Sequence, residues 1–412
     1  MPALATLTSL LFSTTLLLVG HGLQLTLLPL RASAVGQSDT AIAIGGSAYF
    51  SGFVIGCLIA PRIIARAGHI RSFAVLANLM IVALLLIGLS DHWIVWIALR
   101  VITGIAICGL YTVIESWLND QSDEHNRGTV LAIYTFLVLV GMAMGQFLIN
   151  MSPLLSATPF MLVALIIALS VLPVGMTRKL APAPVEPTRA SFRRLFRRSH
   201  TAFAGALLSG AVTGSFWSLG AIFAQRQLGS LEETTFFMSL AILGGAVAQY
   251  PFGWFSDRVG RPVVLVLLCT LGSLSCIAVA LASTKLALLI AIGAFGATTM
   301  PLYAMALANA ADNSRREEFV EIGTSVLLLN GVGAVVAPAI LGRVMDFAGA
   351  SMLFWGCAAI CALAALYAAL RLRVKPRADH PVPFNAAVSA SAPASFEMDP
   401  RAPEQDEEAP GP

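Results

Sequence analysis

Gly253-Trp254-Phe255-Ser256-Asp257-Arg258-Val259-Gly260-Arg261-Pro262 is a charged turn set between two long apolar runs. Its glycines permit a tight reversal between antiparallel segments. Asp257 is placed to meet the positive end of a neighbouring helix. Arg258 needs an acidic partner, and Asp312, at the end of a later run, is its best candidate. The turn has an echo 192 residues earlier, where Arg66 falls on Arg258, Gly68 on Gly260 and Asp120 on Asp312. The same offset sets Gly22 on Gly214, Ser47 on Ser239, Gly104 on Gly296, Tyr111 on Tyr303 and Gly141 on Gly333. Single matches are cheap; one unbroken offset that aligns glycines, charges and an aromatic marks a duplication. The earlier copy is degraded, with Pro61 at the first glycine, Ala65 at the aspartate and His69 at the last arginine. Arg66 is nonetheless expected opposite Asp120, as Arg258 is opposite Asp312.

The runs on either side of these turns decide the class. The chain is 57% hydrophobic, 11% charged and has a mean hydropathy of +0.82, which excludes an ordinary soluble fold. A membrane span takes about 20 mostly apolar residues at 1.5 Å rise each. Twelve such runs are read, near 4–30, 40–62, 72–91, 93–118, 128–150, 157–176, 201–224, 234–256, 262–283, 286–311, 319–342 and 350–370. Runs of this length satisfy their backbone in lipid only as helices. Ala32-Ser33-Ala34 resembles a cleavage site, but the first run lacks a basic start and is too long for a signal peptide, so it is read as a span. The expectation is an all-α integral membrane protein with twelve transmembrane helices in two pseudo-symmetric six-helix bundles.

Lys and Arg fix the orientation. Alternate loops hold fifteen of them, including seven in 177–200, against four at the other ends: Arg31, Arg226, Lys285 and Arg343. The basic loops, and with them both termini, are therefore expected in the cytoplasm. The net charge of +3 follows from this topology and implies no nucleic acid. The bundles are read as 1–176 and 201–370. Between them, 177–200 carries Ala181-Pro182-Ala183-Pro184 and then Arg193-Arg194-Leu195-Phe196-Arg197-Arg198, a linker followed by a short basic helix at the membrane surface. The tail, 371–412, turns to Ala, Pro, Asp and Glu and is expected to be disordered. All six cysteines lie within spans without metal-ligand spacing, and are read as core residues; neither a metal nor a cofactor is expected.

The Gly253–Pro262 turn resembles, nearly residue for residue, the loop motif Gly-x-x-x-Asp-Arg-x-Gly-Arg of the major facilitator superfamily. Arg100-x-x-x-Gly104 is similar to that superfamily's fourth-helix motif. Glu115-Ser116, Asn126-Arg127-Gly128 and Gly145-Gln146 resemble the YcaD-like bacterial transporters. The resemblance covers roughly residues 4–370. It implies a transporter in the bacterial cytoplasmic (inner) membrane, expected as a monomer, with spans 1, 4, 7 and 10 lining a central pathway. It also implies a cytoplasmic gate built from Arg66, Gly68, Asp120, Gly253, Asp257, Arg258, Gly260, Arg261 and Asp312. The antiporter-type glycine motif of span 5 is partial, since Gly141 and Gly145 are present but Gln146 replaces a proline; span 11 carries Gly333 and Pro338.

Polar residues inside spans mark the pathway. Arg100 lies about 10 Å from Trp93 along span 4, and an intramembrane Arg costs at least about 2.5 kcal/mol unless it faces water or a partner. At 100° per residue Arg100, Gly104, Tyr111, Glu115 and Leu118 share one stripe, read as a cavity lining. Glu115 reads either as a proton carrier or as a structural partner of gate arginines such as Arg66. His21, with Gln24 and Thr14 near its face in span 1, reads either as a proton-coupling or substrate residue or as a plain interhelical hydrogen-bonding group. Trp217 and Tyr303, in spans 7 and 10, read as stacking or gating aromatics or as core. Gln146, Gln249 and Asn330 read as helix-to-helix bonds. No Walker-type loop, zinc spacing or nucleophile elbow appears, so no enzyme is implied. The expectation is a secondary transporter of a small organic solute, driven by protons and exporting; the alternatives are uptake of a small anionic metabolite, and a transporter-derived sensor or scaffold that docks partners through its linker and tail.

Overall fold

The computed structural model describes residues 2–122, 127–176, 190–315 and 318–372. Most of the linker and the acidic tail therefore lie outside the described residues. The helices are α1 (Pro2–Ala34), α2 (Asp39–Ala67), α3 (His69–Leu89), α4 (Trp93–Asp120), α5 (Arg127–Phe147), α6 (Thr158–Gly175), α7 (Phe192–Arg198), α8 (His200–Leu228), α9 (Leu231–Val259), α10 (Arg261–Leu281), α11 (Lys285–Thr299), α12 (Pro301–Asp312), α13 (Phe319–Ala348) and α14 (Met352–Leu372). Twelve segments are long and apolar enough to cross a membrane, with α11 and α12 together making one of them. That span breaks where Pro301, which has no backbone N–H, cannot continue the ladder. Thr298 and Thr299 turn their hydroxyls back onto the carbonyl oxygens of Ala294 and Phe295 beside the break.

Helix ends follow from local chemistry. Ser38, Ser199 and Thr284 cap α2, α8 and α11, each accepting from a backbone N–H three residues on, at 3.2 Å in all three. Gly68 and Gly260 separate α2 from α3 and α9 from α10 at φ 78° and 102°, a backbone that only glycine adopts without strain. The arginine-bearing turns all lie on one face of the bundle, called here the basic face; the loops after α1, α3, α5, α8, α10 and α13 lie on the opposite face.

The 192-residue repeat holds in three dimensions. A side chain on Gly22 would run into Met142 of α5, and one on Gly214 into Ala334 of α13, the repeat mate of Met142. Gly104 crosses α2 against the Tyr49 carbonyl; Gly296 crosses α9 against that of Ala241, the mate of Tyr49. Each half is thus keyed by the same two backbone-close crossings, α1 on α5 and α2 on α4, then α8 on α13 and α9 on α11. The halves meet along α2 with α13 and α8, and along α5 with α9. The basic helix α7 is tied to the second half, Arg194 to Glu321 and Arg198 to Glu318. The hydrogen bond from Arg198 holds the Glu318 carboxyl below its ordinary range.

Candidate functional site

Span 4 places Arg100 in the seam between the halves, 6% exposed, with its Nε donating to the Gly45 carbonyl at 3.3 Å and its guanidinium 4.4 Å from the Tyr49 ring centre. Tyr49 joins Arg100 to span 1, because its hydroxyl meets His21 Nε2 at 3.3 Å. Tyr111 sets its ring edge-on to His21 with centroids 6.4 Å apart. Gln24 stands beside His21, one turn along α1, with its amide buried. His21, Gln24, Tyr49, Arg100 and Tyr111 therefore form one polar cluster buried at helix depth. Sequence reading named four of these five. Tyr49 was missed because it stands 51 residues from Arg100 and nothing local distinguishes it from other span aromatics.

The shared stripe on span 4 does not line one cavity. Gly104 is used up in the crossing with α2, and Glu115 turns to α5, where the Tyr134 hydroxyl donates to its Oε1 at 3.0 Å. Glu115 is fully buried, and its described partner is Tyr134 rather than Arg66, which is exposed on the basic face. Of the stripe, Arg100 alone touches the cavity found here, about 20 Å³, bordered also by Gly45, Trp93, Trp96 and Ser218. From the second half, Tyr303 is half-buried with its hydroxyl unpartnered, and Trp217 packs edge-on to Phe216 at 5.4 Å. Gln146 accepts a hydrogen bond from Thr26, and Asn330 donates to the Ala206 carbonyl at 3.2 Å, both between helices.

The gate residues divide differently from the sequence reading. Asp312 meets Arg261, Nε to Oδ2 3.0 Å, in the place expected for Arg258. Asp257 joins the same guanidinium at 3.5 Å across the Gly260 turn. Arg258 instead lies exposed over the Trp254 ring, 3.3 Å from its centre. In the first half no ion pair joins Arg66 and Asp120 among the described residues, and both are exposed. There His69, the repeat mate of Arg261, is buried and shares a 2.9 Å hydrogen bond with Ser116. An ion pair in the second half thus corresponds to a histidine–serine hydrogen bond in the first.

A second set of contacts, unforeseen from sequence, joins the halves on the opposite face. Arg226 donates to both carboxylate oxygens of buried Asp39, at 2.6 and 2.7 Å. Asp346 caps the start of α2, accepting from the backbone N–H groups of Asp39 at 2.8 Å and Thr40 at 3.1 Å. Asn150 donates to Thr235 at 3.3 Å nearby. The hint available in sequence was Ser38-Asp39 at a helix start, with a lone Arg226 and Asp346 just past the ends of two later apolar runs.

Comparison with known proteins agrees with this geometry. The family model described as Major Facilitator Superfamily matches residues 10–230 and again 202–398. The uncharacterised MFS-type transporter YcaD of Escherichia fergusonii is 27% identical over 364 residues, 87% of this chain and 92% of its own. The crystal structure of the nucleoside transporter NupG superposes with a TM-score of 0.74 at 15% identity, over 90% of this chain and 100% of that one. A bacterial homologue of the human lysosomal transporter Spinster, inward-facing and occupied, superposes with a TM-score of 0.70 at 17% identity, over 90% of this chain and 96% of that one. With its whole membrane part matched, its twelve spans in two repeated halves and its loop motif at Gly253–Arg261, the chain belongs to the major facilitator superfamily and is a multi-pass membrane transporter of a solute.

Proposed function

We propose that the chain is a proton-coupled secondary transporter that carries a small organic solute through the seam between its halves by alternating access. The buried cluster His21–Gln24–Tyr49–Arg100–Tyr111 carries this reading. Polar groups left without partners at helix depth are expensive in lipid and are kept where a pathway needs them. Each half is stiffened by glycine crossings, whereas polar contacts between the halves gather on the opposite face at Asp39, Asn150, Arg226 and Asp346. Two stiff bodies latched at one face suit a rocking motion about a central site. His21 and Glu115 are the titratable groups in a position to carry the proton. The excess of Lys and Arg on the basic face supports a cytoplasmic placement of that face and of both termini.

The test uses the full chain in liposomes holding a pH-sensitive dye, challenged with a panel that includes a nucleoside, a neutral sugar and an aromatic carboxylate. A solute that moves protons with it, a signal lost when the pH gradient is collapsed and lost again in Arg100→Ala with insertion unchanged, supports the reading. Solute movement that ignores the gradient overturns proton coupling, and full activity in Arg100→Ala overturns the site.

A further inference from the structure

Arg100 has no carboxylate within ion-pair distance among the described residues, and its Nη1 is buried without a partner. A guanidinium removed from water needs a counter-charge or a set of acceptors, and one carbonyl at 3.3 Å with one aromatic face supplies little of either. The cavity beside it supplies no acidic group. Two further groups on its wall are buried and without a partner: the Nε2 donor of Gln37, from the loop before α2, and the Ser218 hydroxyl of α8. The rest of the wall is apolar or aromatic, including Leu28, Ile42, Trp93, Trp96 and Ile97. We infer that this is a binding site for the carboxylate of a small organic acid, held by Arg100, Gln37 and Ser218 with its apolar body against the tryptophans.

The inference deepens the transporter reading and rests on it. A donor set with one fixed positive charge and no neighbouring acid selects an anion, and the apolar wall selects an organic anion over an inorganic one. Arg100 and Gln37 belong to the first half and Ser218 to the second, so the three donors serve one carboxylate only when the halves stand close around it. The cavity, about 20 Å³, has room for a water and not for the acid, which must enter with the opposite face open. An acid bridging the three groups then draws the halves together.

Equilibrium binding of radiolabelled benzoate to the full chain in lipid nanodiscs tests this. Saturable binding is expected, with neutral benzamide a poor competitor. Ser218→Ala and Gln37→Leu should each weaken it about tenfold, the worth of a hydrogen bond to a charged group, and Arg100→Gln should abolish it. Benzamide competing as well as benzoate, chloride or phosphate displacing benzoate at equal concentration, or Ser218→Ala and Gln37→Leu both binding like the parent would each overturn the site. Binding needs no gradient, so the two readings fail separately. Carboxylate binding without transport sinks the transporter reading alone; transport of a neutral solute without carboxylate binding sinks the acid site alone.

Discussion

Arg261 is 1% exposed and held by two carboxylates, while Arg258, three residues earlier, lies in the open over Trp254. The two arginines should therefore differ sharply on mutation. Asp312→Asn strips a buried guanidinium of its closest counter-charge and should cost about 3 kcal/mol. Arg258→Ala should cost only about 0.5–1 kcal/mol, the worth of an exposed cation–π contact. Chemical unfolding of the two variants in detergent measures both, and equal losses would return the gate to Arg258. The sequence pairs Asp312 with Arg258, whereas the structure sets Arg261 against that carboxylate. The choice between the arginines depends on the Gly260 turn, whose positive φ resets the helical phase between α9 and α10. Angular arithmetic carried through such a turn has no fixed reference. The same limit explains why Tyr49 and Tyr134, the partners of Arg100 and Glu115, came only with the packing of α2 and α5 onto α4.

At the scale of elements, the helices were legible because hydropathy alone demands them. The ends were less so. Span 2 reads as 40–62 by apolarity, yet α2 runs from Asp39 to Ala67, because Arg62 and Arg66 are good helix formers and the helix carries on through Pro61 as far as Gly68. Span 10 reads as one run over 286–311, and the break at Pro301 divides it. The crossings that key the halves make a second contrast. At Gly104 and Gly145 an added methyl would overlap the carbonyl oxygens of Tyr49 and Val19, whereas at Gly293 it meets open space. Gly104→Ala and Gly145→Ala should each lower stability by about 1–3 kcal/mol, and Gly293→Ala should leave the melting temperature in detergent unchanged. An unchanged melt for all three would mean that these helices part more easily than their spacing indicates.

For the whole molecule, the unequal distribution of contacts between the halves matters most. Asp39 and Asp346 latch the opposite face with a bidentate ion pair and a capped helix start. Arg226 is 43% exposed, so the pair is screened and contributes about 1 kcal/mol. Asp39→Asn should raise the population open on that face roughly fivefold, seen as a longer component in pulsed electron–electron distances between spin labels on the α1–α2 and α8–α9 loops. An unaltered distance distribution would place the latch elsewhere. The interruption at Met300–Pro301 adds a mechanical difference between the repeats, because span 4 runs unbroken through the corresponding Cys108–Gly109. The twelve residues beyond it form a rigid arm about 18 Å long. A tilt of roughly 10° at its root would sweep its tip by about 3 Å. Tyr303 rides near the pivot and Asp312 near the tip, so the same swing that barely turns the ring would pull the carboxylate off Arg261. The second repeat thereby has an elbow with an ionic catch, and the first is a plain strut.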